Sequence, residues 1–287
     1  MKKSYEKAKR RRENGVRYKH DLGQHFLYDE ALLQRLVDST GVTKEDGVLE
    51  IGPGSGTLTQ FLCQRAGRVV AVEVDKDILG YLQAKTASCE NLSLVVGDIR
   101  KLDLEELCKP LGRDFFVIAN IPYNITTPIL ELLLESRLPI RQLSLMVQKE
   151  VADKLMAAPS TAAYCLTSVK CQYHAQISLE AIVPRECFTP PPRVDSAFVH
   201  LVMRKDPPLP VANERLLFSL MQAGFGMRRK TLANALKGRV DPERLQSAME
   251  SLGLSPRARG EELDVKAWIA LGNLCAGGYH SASDLRR

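Results

Sequence analysis

The sequence predicts an α/β fold, in which a Rossmann-like sheet with an antiparallel hairpin at one edge precedes a small C-terminal helical domain. Short apolar runs that suit strands buried on both faces alternate with helical patterns from residue 47 onward. Three prolines interrupt the chain within residues 203–211, and apolar residues recur at helical spacing beyond them. A length of 287 residues is sufficient for two such domains.

Five parallel strands are predicted from the apolar runs, at residues 47–51, 69–73, 92–96, 115–119 and 143–147. The intervals between these runs leave room for one crossover helix each. Two further strand-like stretches, near 168–183 and 196–203, flank a segment with three consecutive prolines. We expect this pair to form the hairpin at the sheet edge.

Charge and the three prolines at 203–211 predict three regions: a basic flexible arm at 1–20, a Rossmann-like domain at 21–205 and a helical domain at 206–287. In the last region five apolar residues fall on one helical face, namely Leu216, Leu217, Leu220, Met221 and Phe225. Further helical patterns lie around 229–237, 242–252 and 264–275.

Composition disfavours several classes of protein. No apolar run approaches the roughly 18 residues of a membrane-spanning helix, and the N-terminal segment lacks the apolar stretch of a secretory signal. The seven cysteines are scattered without a C-x-x-C pair, so we expect reduced thiols and no metal. We therefore expect a cytoplasmic protein without a membrane partner, and a monomer.

Charge is unevenly distributed along the chain. Residues 1–19 hold nine basic and two acidic residues, residues 20–200 hold 17 and 23, and residues 201–287 hold 14 and nine. An acidic body with basic ends suits an enzyme that holds a polyanion. A solvated surface with a disordered leader explains the same distribution equally well.

The segment EIGPGSGTLT, residues 50–59, follows the first strand and opens a helix. Gly52, Gly54 and Gly56 permit a tight turn and let the backbone approach a ligand closely, beside a helix N-terminus. The spacing G-x-G-x-G departs from the dinucleotide fingerprint G-x-G-x-x-G. A tight structural turn is the alternative interpretation.

Two acidic residues at the ends of the next strands strengthen the ligand interpretation. Glu73 stands where a carboxylate can accept hydrogen bonds from both ribose hydroxyls, and Asp98 where one can accept from an adenine amino group. The sequence contains no P-loop lysine followed by Ser or Thr, which disfavours a nucleoside triphosphate. S-adenosylmethionine fits this set better.

The segment ANIPYNITTP, residues 119–128, follows the fourth strand. Pro122 stiffens the turn and holds the Asn120 side-chain oxygen and the Ile121 carbonyl toward one point. Two such acceptors can bind the hydrogens of an adenine amino group and free its lone pair for attack on a sulfonium methyl group. No general base is then required before transfer.

Two aromatic residues are candidates for stacking on an extruded base. Tyr123 follows the proline, and Phe188 lies in the loop CFTPPPR, where it could cover the opposite face. The alternative is a proline turn with a core-packing tyrosine, and ordinary packing for Phe188.

Over residues 22–264 the chain resembles the KsgA family of ribosomal RNA small-subunit adenine N6-dimethyltransferases. Eight motifs in order carry the resemblance: LGQHFLYD (22–29), EIGPGSGTLT (50–59), VVAVEVD (69–75), GDIRKLD (97–103), NIPYNITTPIL (120–130), LMVQKEVADKL (145–155), FTPPPRVDSAFVHL (188–201) and RRKTLANAL (228–236). The chain departs from the family at His25, where Asn is usual, at Ala119, where Gly is common, and at Cys165 in YCLTSV.

The resemblance implies a class I S-adenosylmethionine-dependent methyltransferase fold. It implies cofactor contacts from six residues: His25, Leu27, Gly52, Glu73, Asp98 and Asn120. The expected substrate is a pair of adjacent adenines in the 3′-terminal hairpin of small-subunit (16S) RNA, presented by an immature 30S subunit during ribosome biogenesis.

Basic residues at the start of the helical domain are expected to contact RNA phosphates, namely Arg228, Arg229, Lys230, Lys237 and Arg239. Two alternative functions remain open on the sequence. One is a large-subunit RNA adenine methyltransferase of the macrolide-resistance type, and the other is a mainly non-catalytic ribosome assembly factor. An NAD-dependent dehydrogenase is the third alternative function.

Overall fold

A computed structural model describes residues 12–13, 16–17 and 25–277. The chain divides into two compact units. The first extends to Ala152 and adds Ile177–Met203, whereas the second comprises Asp153–Gln176 and the chain from Arg204 onward. The inclusion of Asp153–Gln176 in the second unit differs from the predicted division. The predicted arm at 1–20 lies mostly outside the described residues.

The first unit is built on a central sheet of seven strands. These are β4 (Gly47–Ile51), β5 (Arg68–Glu73), β6 (Leu92–Val96), β7 (Phe115–Asn120), β8 (Ile140–Gln148), β9 (Ala175–Val183) and β11 (Ser196–Met203). Two short antiparallel pairs join β1 (Arg12–Glu13) to β2 (Val16–Arg17) and β3 (Phe26–Leu27) to β10 (Phe188–Thr189). The five predicted parallel strands are confirmed, with ends that differ by at most three residues.

The strand order in the sheet is β6-β5-β4-β7-β8-β11-β9. From β4 to β8 neighbouring strands are parallel, and β11 runs antiparallel to β8. All five residues of β4 are buried, as expected of a strand covered on both faces. Since the chain moves from β4 to β5 and β6 on one side and returns to β7 on the other, a crevice opens between the carboxyl ends of β4 and β7.

Helix α1 (Glu30–Ser39) precedes the first parallel strand, and a helix follows each of the five parallel strands. These are α2 (Thr57–Arg65), α3 (Leu79–Lys85), α4 (Leu104–Cys108), α5 (Thr126–Glu135) and α6 (Lys149–Leu155). Asp29 begins α1, because its carboxylate accepts a hydrogen bond of 2.9 Å from the Leu32 N–H. Within the described part of the chain, no helix is both long enough and apolar enough to cross a membrane.

The two predicted edge strands are neighbours at one edge of the sheet, as β9 and β11, but the bounds predicted for the first one are wrong. The first half of the stretch at 168–183 is helix α7 (Leu166–His174), and only its second half forms β9. Ser168, the third residue of α7, stabilises the start of the helix, since its hydroxyl accepts a hydrogen bond of 3.0 Å from the Cys165 N–H and donates one to the Lys154 carbonyl. The prediction failed because these contacts depend on tertiary packing.

Helices α7 to α11 form the second unit. The remaining ones are α8 (Glu214–Gly226), α9 (Leu232–Ala235), α10 (Pro242–Ser251) and α11 (Val265–Ala276). They enclose the fully buried Trp268, with Tyr164 and Phe225 in the same core. The apolar face predicted for α8 is buried as expected, but the helix predicted over 229–237 is a single turn.

Candidate active site

A cavity of about 350 Å³ lies at the carboxyl ends of the parallel strands in the first unit. This volume is in the range of small-molecule sites. Four strand ends contribute to its wall: the glycine loop after β4, Glu73 at the end of β5, Asp98 after β6 and Asn120 at the end of β7. The segment from His25 to Leu27 completes it.

Two glycines of the loop line the cavity in the left-handed backbone conformation. Gly52 has φ of 71° and Gly54 has φ of 53°. A Cβ atom at Gly54 would overlap the ring of Phe26, another residue of the cavity wall. Glycine at this position therefore permits the close packing of loop and ring.

Gly56 is not among the residues that line the cavity, and its contact with the cofactor stays a prediction. It begins helix α2 with φ of 76°. A Cβ atom there would lie 2.8 Å from Leu82 Cδ1, so the glycine serves the packing of α2 against α3.

Glu73 is buried and already bonded to the backbone. One carboxylate oxygen accepts a hydrogen bond of 3.0 Å from the Gly54 N–H, and the other accepts one of 2.8 Å from the Asp75 N–H. Burial raises the pKa of Glu73, while these donors act in the opposite direction. Because a carboxylate has about four acceptor positions, both oxygens can still receive ribose hydroxyls.

Asp98 is paired with Arg100, a partner that the sequence analysis did not identify. Arg100 Nε lies 2.9 Å from Oδ1 of Asp98, and Nη2 lies 2.7 Å from Oδ2. These hydrogen bonds lower the pKa of Asp98, so its side chain is an ionised acceptor. Both residues line the cavity, and the signal for the pair was a basic residue two positions after the acidic one.

Glu50 is a second residue of the wall that sequence reasoning missed. It is 1% exposed, and its Oε2 atom has no hydrogen-bond partner among the described residues. Burial, with a further contribution from the neighbouring Glu73 carboxylate, raises the pKa of Glu50 to about 8. The available signal was an acidic residue in an otherwise apolar strand, two positions before the first glycine of the loop.

Asn120 is oriented by the segment that precedes α1. Its Nδ2 atom donates a hydrogen bond of 2.9 Å to the carbonyl of His25. The amide oxygen Oδ1, on the other arm of the same group, is the remaining acceptor. Asn120, Ile121 and Pro122 all line the cavity, as the elbow at the end of β7 predicts.

His25 lines the cavity and forms two hydrogen bonds with other parts of the protein. Its Nδ1 atom donates a hydrogen bond of 2.7 Å to the Pro190 carbonyl, and its own carbonyl is bound by Asn120. Leu27 is buried in the cavity wall, where it was expected.

Of the two predicted stacking residues, only Tyr123 has a partly accessible ring. Its hydroxyl is hydrogen-bonded to Ser196 Oγ, and burial raises the pKa of the Tyr123 phenol. Phe188 is only 2% exposed and stands opposite Leu27 in the β10–β3 register. The ring of Phe188 packs in the apolar core of the first unit, and its stacking on a base stays a prediction.

The five predicted RNA-binding residues are exposed on the second unit. Two of them have protein partners. Arg228 forms an ion pair of 2.8 Å with Glu261, and Arg239 donates a hydrogen bond of 2.7 Å to the hydroxyl of Ser219.

Comparison with known proteins identifies the family. The family described as "Ribosomal RNA adenine dimethylase" matches residues 15–276. The chain belongs to this family. Ribosomal RNA adenine dimethylases are enzymes, and this one is an S-adenosylmethionine-dependent methyltransferase with a Rossmann-like fold.

Curated relatives of this dimethylase share about two fifths of its sequence. The "Ribosomal RNA small subunit methyltransferase A" of Lachnoclostridium phytofermentans is 41% identical over 264 residues, 90% of this chain and 91% of the relative. The protein of the same name from Geobacillus thermodenitrificans is 40% identical over 269 residues, with the same coverage.

Two solved structures are similar to the dimethylase over most of its length. A dimethyladenosine transferase from Plasmodium falciparum superposes with a TM-score of 0.74 at 24% identity, covering 86% of this chain and 96% of that one. The 23S rRNA methyltransferase ErmE superposes with a TM-score of 0.69 at 26% identity, covering 88% and 99%. The first likeness concerns the fold alone.

The residues of the cavity fit S-adenosylmethionine, which carries a positive charge on sulfur and hydrogen-bond donors on its ribose, adenine and amino groups. The wall offers acceptors at Glu73 and Asp98, and the orphaned oxygen of Glu50 lies in the same wall. Gly52 and Gly54 complete the site, because a backbone without Cβ atoms lets the ligand approach closely.

Proposed function

We propose that this dimethylase transfers methyl groups to N6 of two adjacent adenines in the 3′-terminal hairpin of 16S ribosomal RNA. The substrate would be an immature 30S subunit, and the role would be in ribosome biogenesis. The observation that carries the proposal is the position of Asn120 in the same cavity wall as the glycine loop, Glu73 and Asp98. The names of the relatives that are 40–41% identical support the choice of small-subunit RNA.

Glu73, Asp98, Gly52 and Gly54 would hold the cofactor, with Leu27 closing the wall. When bound, S-adenosylmethionine supplies a methyl group activated by the sulfonium charge. Asp98 suits the adenine amino group of the cofactor, because its lowered pKa keeps it an acceptor at neutral pH. Glu73 suits the ribose, and its bond to the Gly54 N–H fixes the carboxylate beside the loop.

Asn120 and Ile121 would activate the acceptor. The target amino group is a poor nucleophile, because its lone pair is delocalised into the purine ring. With the Asn120 amide held through Nδ2 by the His25 carbonyl, Oδ1 can accept one hydrogen of the target amino group and the Ile121 carbonyl the other. The nitrogen would then become more tetrahedral and form the new N–C bond as the methyl–sulfur bond breaks and leaves a neutral thioether. Its proton would leave to solvent afterwards.

The target adenine must leave its stack to reach this elbow. Tyr123 is suited to receive it, because the bond between its hydroxyl and Ser196 fixes the plane of the ring. The exposed basic residues of the second unit would bind RNA phosphates.

Two alternatives are less well supported. A large-subunit enzyme would be expected to resemble the 23S rRNA methyltransferase more than the small-subunit relatives. This chain is instead 26% identical to the 23S rRNA methyltransferase and 40–41% identical to the small-subunit relatives. A mainly non-catalytic assembly factor would not need an acceptor pair at the wall of a cofactor-sized cavity.

The proposal is tested with labelled S-adenosylmethionine and unmethylated 30S particles, followed by mapping of the modified bases. We expect dimethyladenosine at two adjacent adenines of the 3′-terminal hairpin. Asn120→Ala should abolish the label while S-adenosylhomocysteine still binds, and Glu90→Ala, at an exposed position outside the cavity wall, should preserve it. Label confined to 23S RNA would overturn the proposal.

A further inference from the structure

A buried carboxyl group lies in the cavity wall of the first unit. Glu50 is 1% exposed and lines the cavity, and its Oε2 atom has no hydrogen-bond partner among the described residues. Within this part of the chain, the groups that act on the carboxyl are the Thr59 hydroxyl and the Glu73 carboxylate, and neither is a cation. Because a buried negative charge without a partner is costly, the free protein favours the protonated form of Glu50.

Glu50 and Glu73 are neighbouring carboxyl groups in different surroundings. The two oxygens of Glu73 accept hydrogen bonds from the Gly54 and Asp75 N–H groups, which favour its ionised form. Of such favourable groups, the described residues offer Glu50 only the Thr59 hydroxyl. Since like charges disfavour ionisation of both groups, the proton of the pair resides on Glu50, in agreement with its pKa of about 8.

The other ionisable groups near Glu50 leave it without a positive partner. In the part of the chain that the structure describes, these groups are Glu73 on β5, Cys63 on α2, and His25, Asp98 and Arg100 elsewhere in the cavity wall. Arg100 is already paired with Asp98 at 2.7 Å. Cys63 is a neutral thiol, because burial raises its pKa. A cation that approaches Glu50 must therefore come from a ligand.

The two ligands of a methyltransferase differ in charge at the reacting centre. S-adenosylmethionine carries a sulfonium cation, whereas S-adenosylhomocysteine, which is left after the transfer, has a neutral thioether at the same place. Their amino, carboxylate, ribose and adenine groups are the same. In a poorly solvated cavity a ligand cation favours a nearby carboxylate over the carboxylic acid, and a thioether does not.

We propose that Glu50 is a specificity residue that senses the sulfonium charge: it is protonated in the free protein, releases its proton to solvent when the cationic cofactor binds, and takes one up again when the neutral product occupies the cavity. The ionised carboxylate strengthens binding of the cofactor, and its reprotonation weakens binding of the product. One proton leaves Glu50 and one returns in each cycle, so the exchange with solvent is balanced. The inference concerns the cofactor alone and holds whichever RNA is methylated.

The first test is isothermal titration calorimetry of the full chain at pH 7, in two buffers that differ in ionisation enthalpy. The difference between the buffers gives the number of protons released on binding. We expect the parent protein to release roughly 0.5 to 1 proton more with S-adenosylmethionine than with S-adenosylhomocysteine. Sinefungin, which has an ammonium group in place of the sulfonium, should behave as the cofactor does. Glu50→Gln should remove the difference, and Glu90→Gln, at an exposed position, should retain it.

The second measurement is the ratio of the two affinities between pH 6 and pH 8. Because Glu50 must lose a proton for tight binding of the cation, the preference of the parent for S-adenosylmethionine should increase by about 10-fold over this range and level off above pH 8. In Glu50→Gln the preference should change far less. The amino groups of the ligands titrate with both proteins, so the comparison of the two proteins isolates Glu50.

Equal proton release with the two ligands in the parent protein would overturn the inference, and this measurement requires no variant. A pH-dependent preference that persists in Glu50→Gln would overturn it as well. The urea midpoint of Glu50→Gln reports whether the variant is folded. Neither result bears on which RNA the enzyme methylates, so the proposed function would stand in both cases.

Discussion

The main-chain N–H of Gly54 donates a hydrogen bond of 3.0 Å to the side chain of Glu73. This bond joins the glycine loop after β4 to the end of β5, two segments that each contribute to the cavity wall. The same carboxylate thereby shapes the loop and offers acceptors to a ligand, so its removal should affect both.

Replacement of Glu73 by Ala should weaken S-adenosylhomocysteine binding by about 10- to 100-fold, because hydrogen bonds to a charged group are lost and the Gly54 and Asp75 N–H groups lose their acceptor. Isothermal titration calorimetry measures the change. Glu90→Ala, at an exposed position, is the control and should bind as the parent does. Unchanged affinity in Glu73→Ala would show that the ribose acceptor lies elsewhere.

Replacement of Gly54 by Ala should abolish cofactor binding, because the new methyl group would overlap the Phe26 ring in the cavity wall. Gly41→Ala is a matched control. Gly41 also has a positive φ, of 73°, but a Cβ atom there meets nothing within 4 Å. Both variants carry the cost of a left-handed alanine, about 1 kcal/mol, so only the difference between them reports the overlap. Equal binding by the two proteins would contradict the geometry.

Glu50 should make the stability of the protein fall as pH rises. Its pKa is about 8 in the folded chain and has the ordinary value of 4.5 when unfolded, so between these values the folded state keeps a proton that the unfolded state releases. The slope is about −1.4 kcal/mol per pH unit in this window and vanishes above pH 8.

Because glutamine does not titrate, the advantage of Glu50→Gln over the parent should increase from pH 5 to pH 8 in urea unfolding experiments. Glu90→Gln, at an exposed position, serves as the control and should follow the parent at every pH. A constant difference across this range would show that Glu50 is ionised in the folded protein.

Gly224→Ala should destabilise the second unit by about 1–3 kcal/mol, because a Cβ atom at this position would lie 2.5 Å from Cη2 of Trp268. Trp268 is the single tryptophan of the chain, so its fluorescence reports unfolding of this unit. Gly226→Ala, in the same helix but with open space around the added methyl group, should be neutral or slightly stabilising. A Gly226→Ala protein that is less stable than Gly224→Ala would contradict the packing argument.

The basic residues of the second unit should differ in their contribution to RNA affinity. Arg229→Ala and Lys230→Ala should each reduce the slope of log K against log salt by about 0.7–0.9. Arg228→Ala should change it less, because Glu261 already neutralises part of its charge. Arg113→Ala, just before β7 and so at the opposite edge of the sheet from the cavity, should leave the slope as it is. Filter binding of unmethylated 30S particles at several salt concentrations provides the measurement.

Much of the site was predictable because it depends on local chemistry at strand ends. Parallel strands bring their carboxyl ends to one edge of the sheet, so the sequence alone predicts that the glycine loop, Glu73, Asp98 and Asn120 meet there. The sequence does not show the surroundings of Gly56 and Phe188: Gly56 packs between α2 and α3, and the ring of Phe188 lies in the core of the first unit.

The sequence by itself determined the order of strands and helices, the family and the residue types that face the cofactor, since these follow from periodicity and from motifs contiguous in the chain. The tertiary structure alone decided that Glu50 is buried with an unpaired Oε2 atom and that His25 stacks on Tyr123. Burial and ring contacts depend on distances between segments far apart in the chain, such as the 165 positions between His25 and Pro190. No local pattern encodes such distances.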